Sequence, residues 1–386
     1  MLSLHPLPAL AGLAASALAA LYALLALLAV LLWQMRKPQP QAAALPPVTL
    51  LKPLCGAEPG LYEHLSSYCR QDYPQLQIVF GVRDPADPAL PVARRLAAEF
   101  PHLPIDVVVG PQLHGSNHKI SNLINMAAHA RHDLLVMADS DTWVGPDYLR
   151  TVTAPLHDRR VGLVTCVYRG VPAAGIWSRL GALYVNEWFI PSVLLARMFG
   201  YGGYATGQTL CLRRETLQAI GGLQAIADHL ADDFRLGELV RGLGLRIVVS
   251  PYVVDAQHDE PDLTALVRHE LRWMRTTRVL QPLSSRFMFL SFSVPLAAAG
   301  AALAAFSADL FPPAGRLLLL AAAARIALHF VQRNGRHAAS WSDLWLLPLR
   351  DLLTGWVWCN SFFSSRVSWR GSEFRVDADG VMRRLS

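Results

Sequence analysis

Cysteine and charge are both scarce in this sequence of 386 residues. Charged residues make up only 17% of the chain, a low share for a soluble protein. The cysteines are scattered, odd in number and never spaced as C-x-x-C, which argues against a disulfide framework and against a zinc site. No internal repeat is visible. A reducing compartment suits the middle of the chain best. The five cysteines are Cys55, Cys69, Cys166, Cys211 and Cys359.

A long apolar run near the N-terminus accounts for part of the low share of charged residues. Residues 9–33 are almost entirely Ala, Leu and Val, and as a helix they extend about 37 Å, enough to cross a bilayer. The run is too long for a cleaved signal peptide, and no basic residue precedes it. Arg36 and Lys37 follow directly, which predicts a cytoplasmic C-terminal flank. We therefore expect residues 1–37 to be a retained transmembrane anchor.

The C-terminal third is apolar again. Three segments are candidates to span the membrane: Met288–Phe311, the shorter Arg316–Val331, and Trp341–Phe363. Arg350 and Asp351 weaken the third segment, because charges facing lipid are costly. They would either pair with each other or mark a segment that lies on the membrane surface. Residues 286–365 are thus predicted to be transmembrane or interfacial helices, three or four in total with the anchor, and residues 366–386 a polar basic tail.

The net charge of +6 comes largely from short basic clusters beside the apolar segments. That placement favours a membrane surface as the partner and argues against nucleic acid. Residues 184–200 are apolar but contain Glu187, Pro191 and Arg197, so they indicate an interfacial segment or a core helix.

Between residues 48 and 285, short apolar runs alternate with helical stretches. This alternation predicts an α/β domain with a mostly parallel sheet and helices on both faces. Residues 38–47 are a Pro-, Gln- and Ala-rich linker, and Gly200–Gly207 should be a loop. The predicted strands are Val48–Leu51, Gln77–Val82, Ile105–Val109, Leu134–Ala138, Val161–Val167, one ending near Leu212, and Leu245–Val249. The predicted helices are Pro88–Phe100, Asn117–Ala130, Ile226–Arg241 and Pro261–Arg278.

The sequence Asp139-Ser140-Asp141 follows one of these buried strands. Its carboxylates should emerge at the carboxyl edge of the sheet, where α/β folds bind ligands. Two carboxylates at alternate positions can hold one hard cation, and the cation can bind a diphosphate. The alternative is a capped turn, since Asp and Ser also favour helix starts.

Two further polar groups are predicted near that edge. Asp84 follows a strand and could accept hydrogen bonds from a nucleobase or a ribose, although Asp-Pro pairs also form turns. Lys119 and Asn122 lie in the stretch Asn117–Leu123 at a predicted helix start, a natural site for an anion. The alternative for Lys119 is a solvated side chain on a capped helix.

Two helices carry other candidate groups. Asp232 and Asp233 are adjacent, so one can face a site while the other faces solvent, and a carboxylate near other carboxylates has the raised pKa that suits a general base. Arg272 and Trp273 could hold a leaving diphosphate and a stacked ring. The alternatives are a solvated acidic pair and a basic helix on anionic lipid.

The order of these motifs resembles the D, DxD, (E/D)D, (Q/R)xxRW series of lipid-linked family 2-type glycosyltransferases, and is most similar to glycosyltransferase family 21. His269 stands where the family has Gln or Arg. The resemblance extends from about Val48 to Arg375. It also includes Lys52–Pro59, similar to the family's KPLxGxxP opening, Asn117–Leu123, similar to its N-x-K-x-N-N-L stretch, and Ser368-Trp369-Arg370-Gly371, similar to its S-W-R-x-G tail.

The resemblance implies a cytoplasmic GT-A domain over residues 48–285, held in the inner membrane of the cell by a multi-pass arrangement of helices. It implies that Asp84, Lys119, Asn122 and Asp139 bind a UDP-sugar, and that Asp139 with Asp141 binds Mg²⁺ or Mn²⁺. Asp233, with Asp232 as the alternative, would be the base of an inverting transfer to a lipid hydroxyl. His269, Arg272 and Trp273 would close over the diphosphate or the acceptor.

The chain resembles most the hopanoid-biosynthesis branch of the family, which implies transfer of N-acetylglucosamine to bacteriohopanetetrol. The alternatives are a ceramide glucosyltransferase, which uses UDP-glucose and ceramide, and an inactive membrane scaffold. The acceptor should arrive laterally from the bilayer, between residues 184–200 and the C-terminal helices.

Overall fold

The computed structural model describes residues 6–36, 45–201, 205–332, 341–369, 372–377 and 379–385. Most of the predicted linker 38–47, and Arg370 and Gly371 of the tail motif, lie outside these residues. The chain forms two compact units. The sheet unit comprises Lys37–Ala173, Gly202–Asp259 and Trp369–Ser386, and the helical unit comprises Met1–Arg36, Ala174–Tyr201 and Glu260–Ser368.

The strands and helices are numbered in chain order. The strands are β1 Val48–Pro53, β2 Leu76–Val82, β3 Ile105–Val109, β4 Leu134–Met137, β5 Thr142–Trp143, β6 Val161–Pro172, β7 Leu210–Arg213, β8 Arg246–His258, β9 Arg366–Trp369, β10 Ser372–Val376 and β11 Met382–Arg384. The helices are α1 Pro6–Gln34, α2 Leu61–Cys69, α3 Ala89–Glu99, α4 His118–Ala127, α5 Tyr148–Thr153, α6 Gly175–Tyr184, α7 Ile190–Met198, α8 Arg214–Ala219, α9 Asp232–Gly242, α10 Leu263–Leu280, α11 Pro282–Arg286, α12 Ser293–Ala304, α13 Phe311–Val331 and α14 Leu346–Ser361.

The main sheet of the sheet unit has the strand order β3-β2-β1-β4-β7-β6-β8-β5. Strands β1 to β4 pair in parallel, as predicted. Strand β7 runs antiparallel to both β4 and β6, so the sheet is mixed in its second half. Strands β1, β2 and β4 are buried along almost their whole length, which explains their continuous apolar sequences. The predicted α/β class is therefore confirmed, and the site-bearing strand ends belong to the parallel half.

Three predicted boundaries in the sheet unit are clearly wrong. The strand predicted over Val161–Val167 continues to Pro172. The strand predicted to end at Val249 continues to His258, because Pro251 and Tyr252 are accommodated in a register shift against β6. A bulge tolerates proline, which has no amide hydrogen for the ladder. The helix predicted from Ile226 begins only at Asp232, because the preceding backbone is used elsewhere: the carbonyl of Ala227 accepts a hydrogen bond from Asn117 N at 2.8 Å.

The helical unit is built on close packing between α1 and α12. A Cβ atom on Gly12 would overlap the carbonyl oxygen of Gly300, so the two backbones are in contact there. The hydroxyl of Ser16 donates to the carbonyl of Ala297 at 3.2 Å. Small residues at helix interfaces allow this approach in apolar surroundings. The alanine-rich composition of the N-terminal run is thus explained by packing as well as by length.

Among the residues that the structure describes, two helices are long and apolar enough to cross a membrane, Leu7–Gln34 and Phe311–Val331. The predicted continuous span Met288–Phe311 is wrong: a 3₁₀ turn covers Met288–Ser291, and α12 then has only 12 residues. Pro295 accounts for the restart, since proline is accepted only in the first turn of a helix.

The two charges of α14 do not pair with each other, contrary to one of the expectations above. Neighbours on a helix point about 100° apart, so each finds its own partner. Arg350 forms two hydrogen bonds to Glu270 of α10, at 2.6 and 2.7 Å, with both side chains only 1% exposed. Asp351 pairs with Arg325 of α13 at 3.1 Å. The charges therefore join helices inside the unit.

Candidate active site

The Asp139-Ser140-Asp141 turn follows the buried strand β4 at the carboxyl edge of the sheet, as predicted. A buried lysine at the end of β1, Lys52, contacts the backbone of this turn. The ammonium of Lys52 donates to the backbone carbonyl of Asp139, lies 3.3 Å from the hydroxyl of Thr142, and stands 3.7 Å from the ring centre of Tyr68. Burial lowers the pKa of Lys52 to about 7. The backbone of the turn is therefore fixed by a side chain 87 residues away.

Three carboxylates cluster at this turn: Asp139 and Asp141 of the turn itself, and Glu58. Burial, Asp139 and Glu58 together raise the pKa of Asp141 to about 7. Glu58 belongs to the loop after β1 and accepts a hydrogen bond from Ser140 at 3.3 Å. One oxygen of Asp141, Oδ1, is buried and has no hydrogen-bond partner within the described part of the chain. The cluster thus has an excess of negative charge and a buried acceptor that is not satisfied.

Lys119 lies at the N-terminus of α4, where Asn117 caps the helix by accepting from the amides of Lys119 and Ile120. Its ammonium is 2.7 Å from Asp139 Oδ1 and 3.5 Å from Asp232 Oδ2. Burial alone would lower the pKa of Lys119, but these two carboxylates raise it, so the side chain stays charged. The solvated lysine considered above is therefore wrong, and Lys119 joins the DxD turn to the acidic pair.

Asp232 and Asp233 occupy the first turn of α9. Asp232 is buried, and it accepts from the Asn117 amide at 3.4 Å. Asp233 Oδ1 accepts from the backbone amide of Phe234 at 2.7 Å. Burial and the neighbouring Asp232 raise the pKa of Asp233 to about 7. A carboxylate with that pKa can accept a proton near neutral pH, which is the property of a general base.

Gly207, in the loop before β7, is the point on which these groups converge. A Cβ atom built on Gly207 would lie 3.4 Å from Lys119 Nζ, 3.5 Å from Asp233 Oδ2 and 3.6 Å from Asp139 Oδ2. The three functional groups therefore surround one small space that the glycine leaves free. The sequence predicted Lys119, Asp139 and Asp233 separately, and the fold brings them together.

The other predicted donor-binding residues differ in exposure. Asp84 is exposed at the carboxyl end of β2, and its side chain accepts from the amide of Ala86 at 2.8 Å. Asn122 is 3% exposed, and its amide donates to the carbonyls of Gly81 at 2.8 Å and Leu54 at 3.4 Å. Asn122 thus ties together the ends of β1 and β2.

The residues predicted to close over the diphosphate or the acceptor lie on α10 in the helical unit. The His269 ring is 3.0 Å from Glu260 at Nδ1 and 4.1 Å from the Trp273 ring between centroids. Trp273 in turn stacks on Tyr184 at 5.6 Å. The carbonyl of Arg272 accepts from the hydroxyl of Thr276 at 2.7 Å. The side chains of His269 and Trp273 are therefore oriented by fixed neighbours.

A divalent cation fits the DxD turn only if other ligands complete its shell. Within the residues that the structure describes, no group of three or more His, Cys, Asp or Glu side chains is arranged to hold a metal. Asp139 and Asp141 can supply two carboxylates, and the unsatisfied Oδ1 of Asp141 is the kind of atom that a cation would complete. Mg²⁺ sites commonly use one or two carboxylates with substrate phosphates and water.

Several residues at this site could not be found from local sequence alone. Lys52, Glu58 and Asn117 lie in the stretches that carry the family resemblance, but no role followed from it. Gly207 lies in a stretch predicted only as a loop. Their positions become informative once β1, α4 and the loop before β7 are seen to meet at the same edge.

The fold is similar to that of a mannosyltransferase from Pyrobaculum calidifontis, PcManGT, solved in complex with GDP-Man and Mn²⁺. The TM-score is 0.53, the sequence identity is 21%, and the match covers 92% of this chain and 98% of the other. This likeness confirms the predicted GT-A architecture of the sheet unit.

Curated relatives point to the same family. The chain is 20% identical to ceramide glucosyltransferase 1 of Caenorhabditis elegans over 239 residues, which cover 62% of this chain and 51% of the relative. It is 31% identical to the ceramide glucosyltransferase of Candida albicans over 122 residues, 28% of this chain and 22% of the relative. The chain thus matches about half the length of the first relative and less of the second. The model for glycosyl transferase family 21 matches residues 12–382, and the chain therefore belongs to that family.

Proposed function

We propose that this protein is a membrane-bound inverting glycosyltransferase that moves a sugar from a UDP-sugar to a hydroxyl group of a lipid. The observation that carries the proposal is the convergence of Asp233, Lys119 and Asp139 on the space beside Gly207. It combines a carboxylate of raised pKa with a half-buried cation and a second carboxylate. These are the groups that a displacement at a sugar diphosphate requires.

Asp233 is the general base in this mechanism. The acceptor oxygen forms a bond to the anomeric carbon, the bond from that carbon to the diphosphate oxygen breaks, and the hydroxyl proton passes to Asp233. A single displacement inverts the anomeric configuration. Asp232 raises the basicity of its neighbour by charge repulsion and holds Lys119 in place, and it is the alternative base.

The donor is held from the side of β2, β4 and α4. Asp84, exposed after β2, binds the uracil or the ribose, and Lys119 binds the diphosphate, which must displace it in part from Asp139. Asn122 supports the donor site by fixing the ends of β1 and β2. His269, Arg272 and Trp273 close over the diphosphate or the acceptor.

Asp139 and Asp141 would hold Mg²⁺ or Mn²⁺, which neutralises charge on the departing diphosphate. The protein's own contribution is the Lys52 contact that fixes the turn and the buried oxygen of Asp141. Asp139→Ala is expected to remove the metal-dependent part of UDP binding, measured by calorimetry with and without EDTA. A wild-type transfer rate that EDTA leaves unchanged would exclude a metal role for this pair.

The two candidate spans, α1 and α13, support a location in a membrane. We place the protein in the inner membrane as a multi-pass protein with its catalytic domain in the cytoplasm, because Arg36 lies two residues after the end of α1. The lipid bilayer is then the source of the acceptor, and nucleic acid is not a partner.

For the substrates, we propose N-acetylglucosamine as the sugar and bacteriohopanetetrol as the acceptor. The alternative pair is UDP-glucose and ceramide, and two curated relatives carry the name ceramide glucosyltransferase. The two pairs differ at one sugar position and in the lipid, so a direct comparison separates them.

The deciding experiment incubates the full chain in lipid nanodiscs with radiolabelled UDP-N-acetylglucosamine or UDP-glucose and each lipid in turn. Labelled glycolipid identified by mass spectrometry would establish both the activity and the substrate pair. Failure to release UDP with any lipid, in a protein that still binds UDP, would instead support an inactive scaffold. Asp147→Asn, a change at an exposed aspartate of the same unit, is the control for nonspecific effects.

A further inference from the structure

A small cavity lies inside the helical unit, where the sequence is most apolar, and its mostly apolar wall carries several polar groups. It is partly open and has a volume of about 30 Å³. Its wall is contributed by α1, by the π-helical turn Val185–Phe189, by α7, by residues 291–293 up to the start of α12, by α13 and by α14. The polar groups in the wall belong to Tyr22, Glu187, Trp188, Ser291, Ser293, Arg325, Asp351 and Thr354. Two of the contributing helices, α1 and α13, are the candidate spans.

The charged groups of this wall form a connected network. Arg325 pairs with Glu187 and, at 3.1 Å, with Asp351. The fully buried His329 ring also pairs with Glu187. Burying charges in an apolar helical unit is costly, and apolar residues of similar volume would usually serve stability as well or better. The network therefore points to a function at the cavity.

Neutral hydrogen-bonding groups complete the wall. The hydroxyl of Tyr22 is 2.8 Å from that of Ser192, and the indole of Trp188 donates to Ser291 Oγ at 2.8 Å. Ala23 and Ala26 of α1 and Leu328 of α13 supply an apolar surface beside them. Hydroxyls can both donate and accept, so the wall suits a guest that does the same and carries an apolar body.

The size and charge of the cavity select the class of guest. A volume of about 30 Å³ admits a group the size of a hydroxyl or a water. Two carboxylates face one guanidinium in the wall, so a phosphate head group would be repelled. A cation lacking an apolar body would leave the alanine and leucine surface unused.

We propose that this cavity binds a hydroxyl group of an uncharged membrane lipid, and that it is the recognition site for the acceptor. That the bound lipid is the acceptor rests on the proposed function. The binding of a hydroxylated lipid can be tested without assuming that function. The cavity lies between residues 184–191 and the C-terminal helices, the route by which the sequence predicts that the acceptor enters.

The test measures saturable binding of tritiated 1,2-dodecanediol to the full chain in nanodiscs. Ala26→Leu fills the cavity from α1, and Ala17→Leu makes the same change at an exposed position of that helix. Ala26→Leu should weaken binding roughly tenfold or more, while Ala17→Leu should bind as the wild type does. The dimethyl ether of the diol should compete poorly because it cannot donate a hydrogen bond.

A second variant keeps the test decisive if Ala26→Leu fails to fold. Tyr22→Phe removes one wall hydroxyl and keeps the ring, and it should weaken diol binding by severalfold with an unchanged melting temperature. Equal binding by all four proteins, or stronger competition from phosphatidylglycerol than from the diol, would overturn the proposal.

Transfer kinetics then separate this inference from the proposed function. With an active lipid in hand, Ala26→Leu should raise the KM for the lipid roughly tenfold and leave the KM for the UDP-sugar unchanged. If diol binding behaves as expected but no lipid is glycosylated, the lipid-binding cavity is supported and the proposed function is contradicted. If transfer occurs with equal lipid KM in Ala26→Leu and Ala17→Leu, the cavity proposal fails and the function stands.

Discussion

The Asp233 carboxylate combines partial burial, a charged neighbour and a position beside Lys119 and Asp139. Asp233→Asn preserves size and removes proton affinity, so we expect transfer to fall by a factor of about 10² to 10⁴. UDP binding measured by calorimetry should remain within twofold of the wild type. Full transfer activity in this variant would show that Asp233 is not the base.

The raised pKa of Asp233 also predicts a pH dependence. A base acts when deprotonated, and burial with the charge of Asp232 keeps Asp233 protonated to about pH 7. The kcat/KM for transfer should therefore rise through that region and level off above it, at constant saturating metal. The same measurement on Asp232→Asn should move the midpoint to lower pH, since the repelling charge is gone. A profile that is flat from about pH 5.5 to 8.5 would contradict this assignment.

Gly207 should tolerate no side chain at the site even though the backbone allows one. Its φ lies outside the left-handed region, and the three atoms nearest to an added Cβ would be the ends of Lys119, Asp139 and Asp233. Gly207→Ala should therefore fold normally yet lower kcat/KM by roughly 10- to 100-fold, because the methyl group occupies the space between the three groups and displaces the reacting atoms of the substrate. Gly242→Ala, whose Cβ would meet nothing within 4 Å, is the matched control and should be fully active.

The sequence could predict Asp139 because it follows a buried strand and so lies at the carboxyl edge of the sheet, and Asp233 because it belongs to an ordered series of acidic motifs. It could not predict Lys52, whose position in an apolar strand says nothing about its contact with a turn 87 residues later. Glu58 and Gly207 were missed for the same reason, since their effect depends on which loops meet at the sheet edge.

At the scale of elements, the close approach of α1 and α12 gives a sharp stability prediction. Gly12→Val would place atoms against the backbone of Gly300 and Ala304, which costs about 3 kcal/mol by the usual scale of overpacking. The melting temperature in detergent should fall by several degrees. Gly315→Val puts the same residue into α13 where a Cβ would meet nothing within 4 Å, and should leave it unchanged. Equal melting temperatures for both variants would mean that this helix contact is absent.

Sequence periodicity predicted well those elements whose bounds depend only on their own local sequence. Strand β3 has the predicted bounds Ile105–Val109, and β1, β2 and β4 begin within one residue of prediction. Errors arose where distant parts of the chain compete for the backbone, as at Ala227, or where proline changes the pattern, as at Pro251 and Pro295. Hydropathy alone could not detect these effects.

At the scale of the molecule, neither compact unit is a continuous stretch of chain. Residues 1–36, 174–201 and 260–368 form one unit, although the sequence suggested an anchor, a catalytic domain and a C-terminal membrane region in succession. Composition marks where a segment is apolar but not which other segment covers it. The segment 184–200 illustrates this: its charge at Glu187 argued against a span, and the structure buries that charge against α13.

The role of α1 is the last consequence of this organisation. Ala19, Ala20 and Ala23 of α1 pack with Ala297 of α12 and Ala321 of α13, so α1 is part of the helical core as well as a candidate span. Deleting residues 1–36 should therefore abolish lipid transfer and lower the yield of folded protein, because α12 and α13 lose their apolar cover.

Supplying residues 1–44 as a separate co-expressed peptide should restore both in part, whereas a peptide with Gly12→Val should restore less. Transfer activity of membranes after alkaline carbonate washing measures the rescue. A deletion variant that is released from the membrane and remains fully active would show that α1 serves only for attachment. The packing of α1 against two helices by small residues predicts the opposite, since the helices it covers belong to the same unit as α10, which carries His269, Arg272 and Trp273.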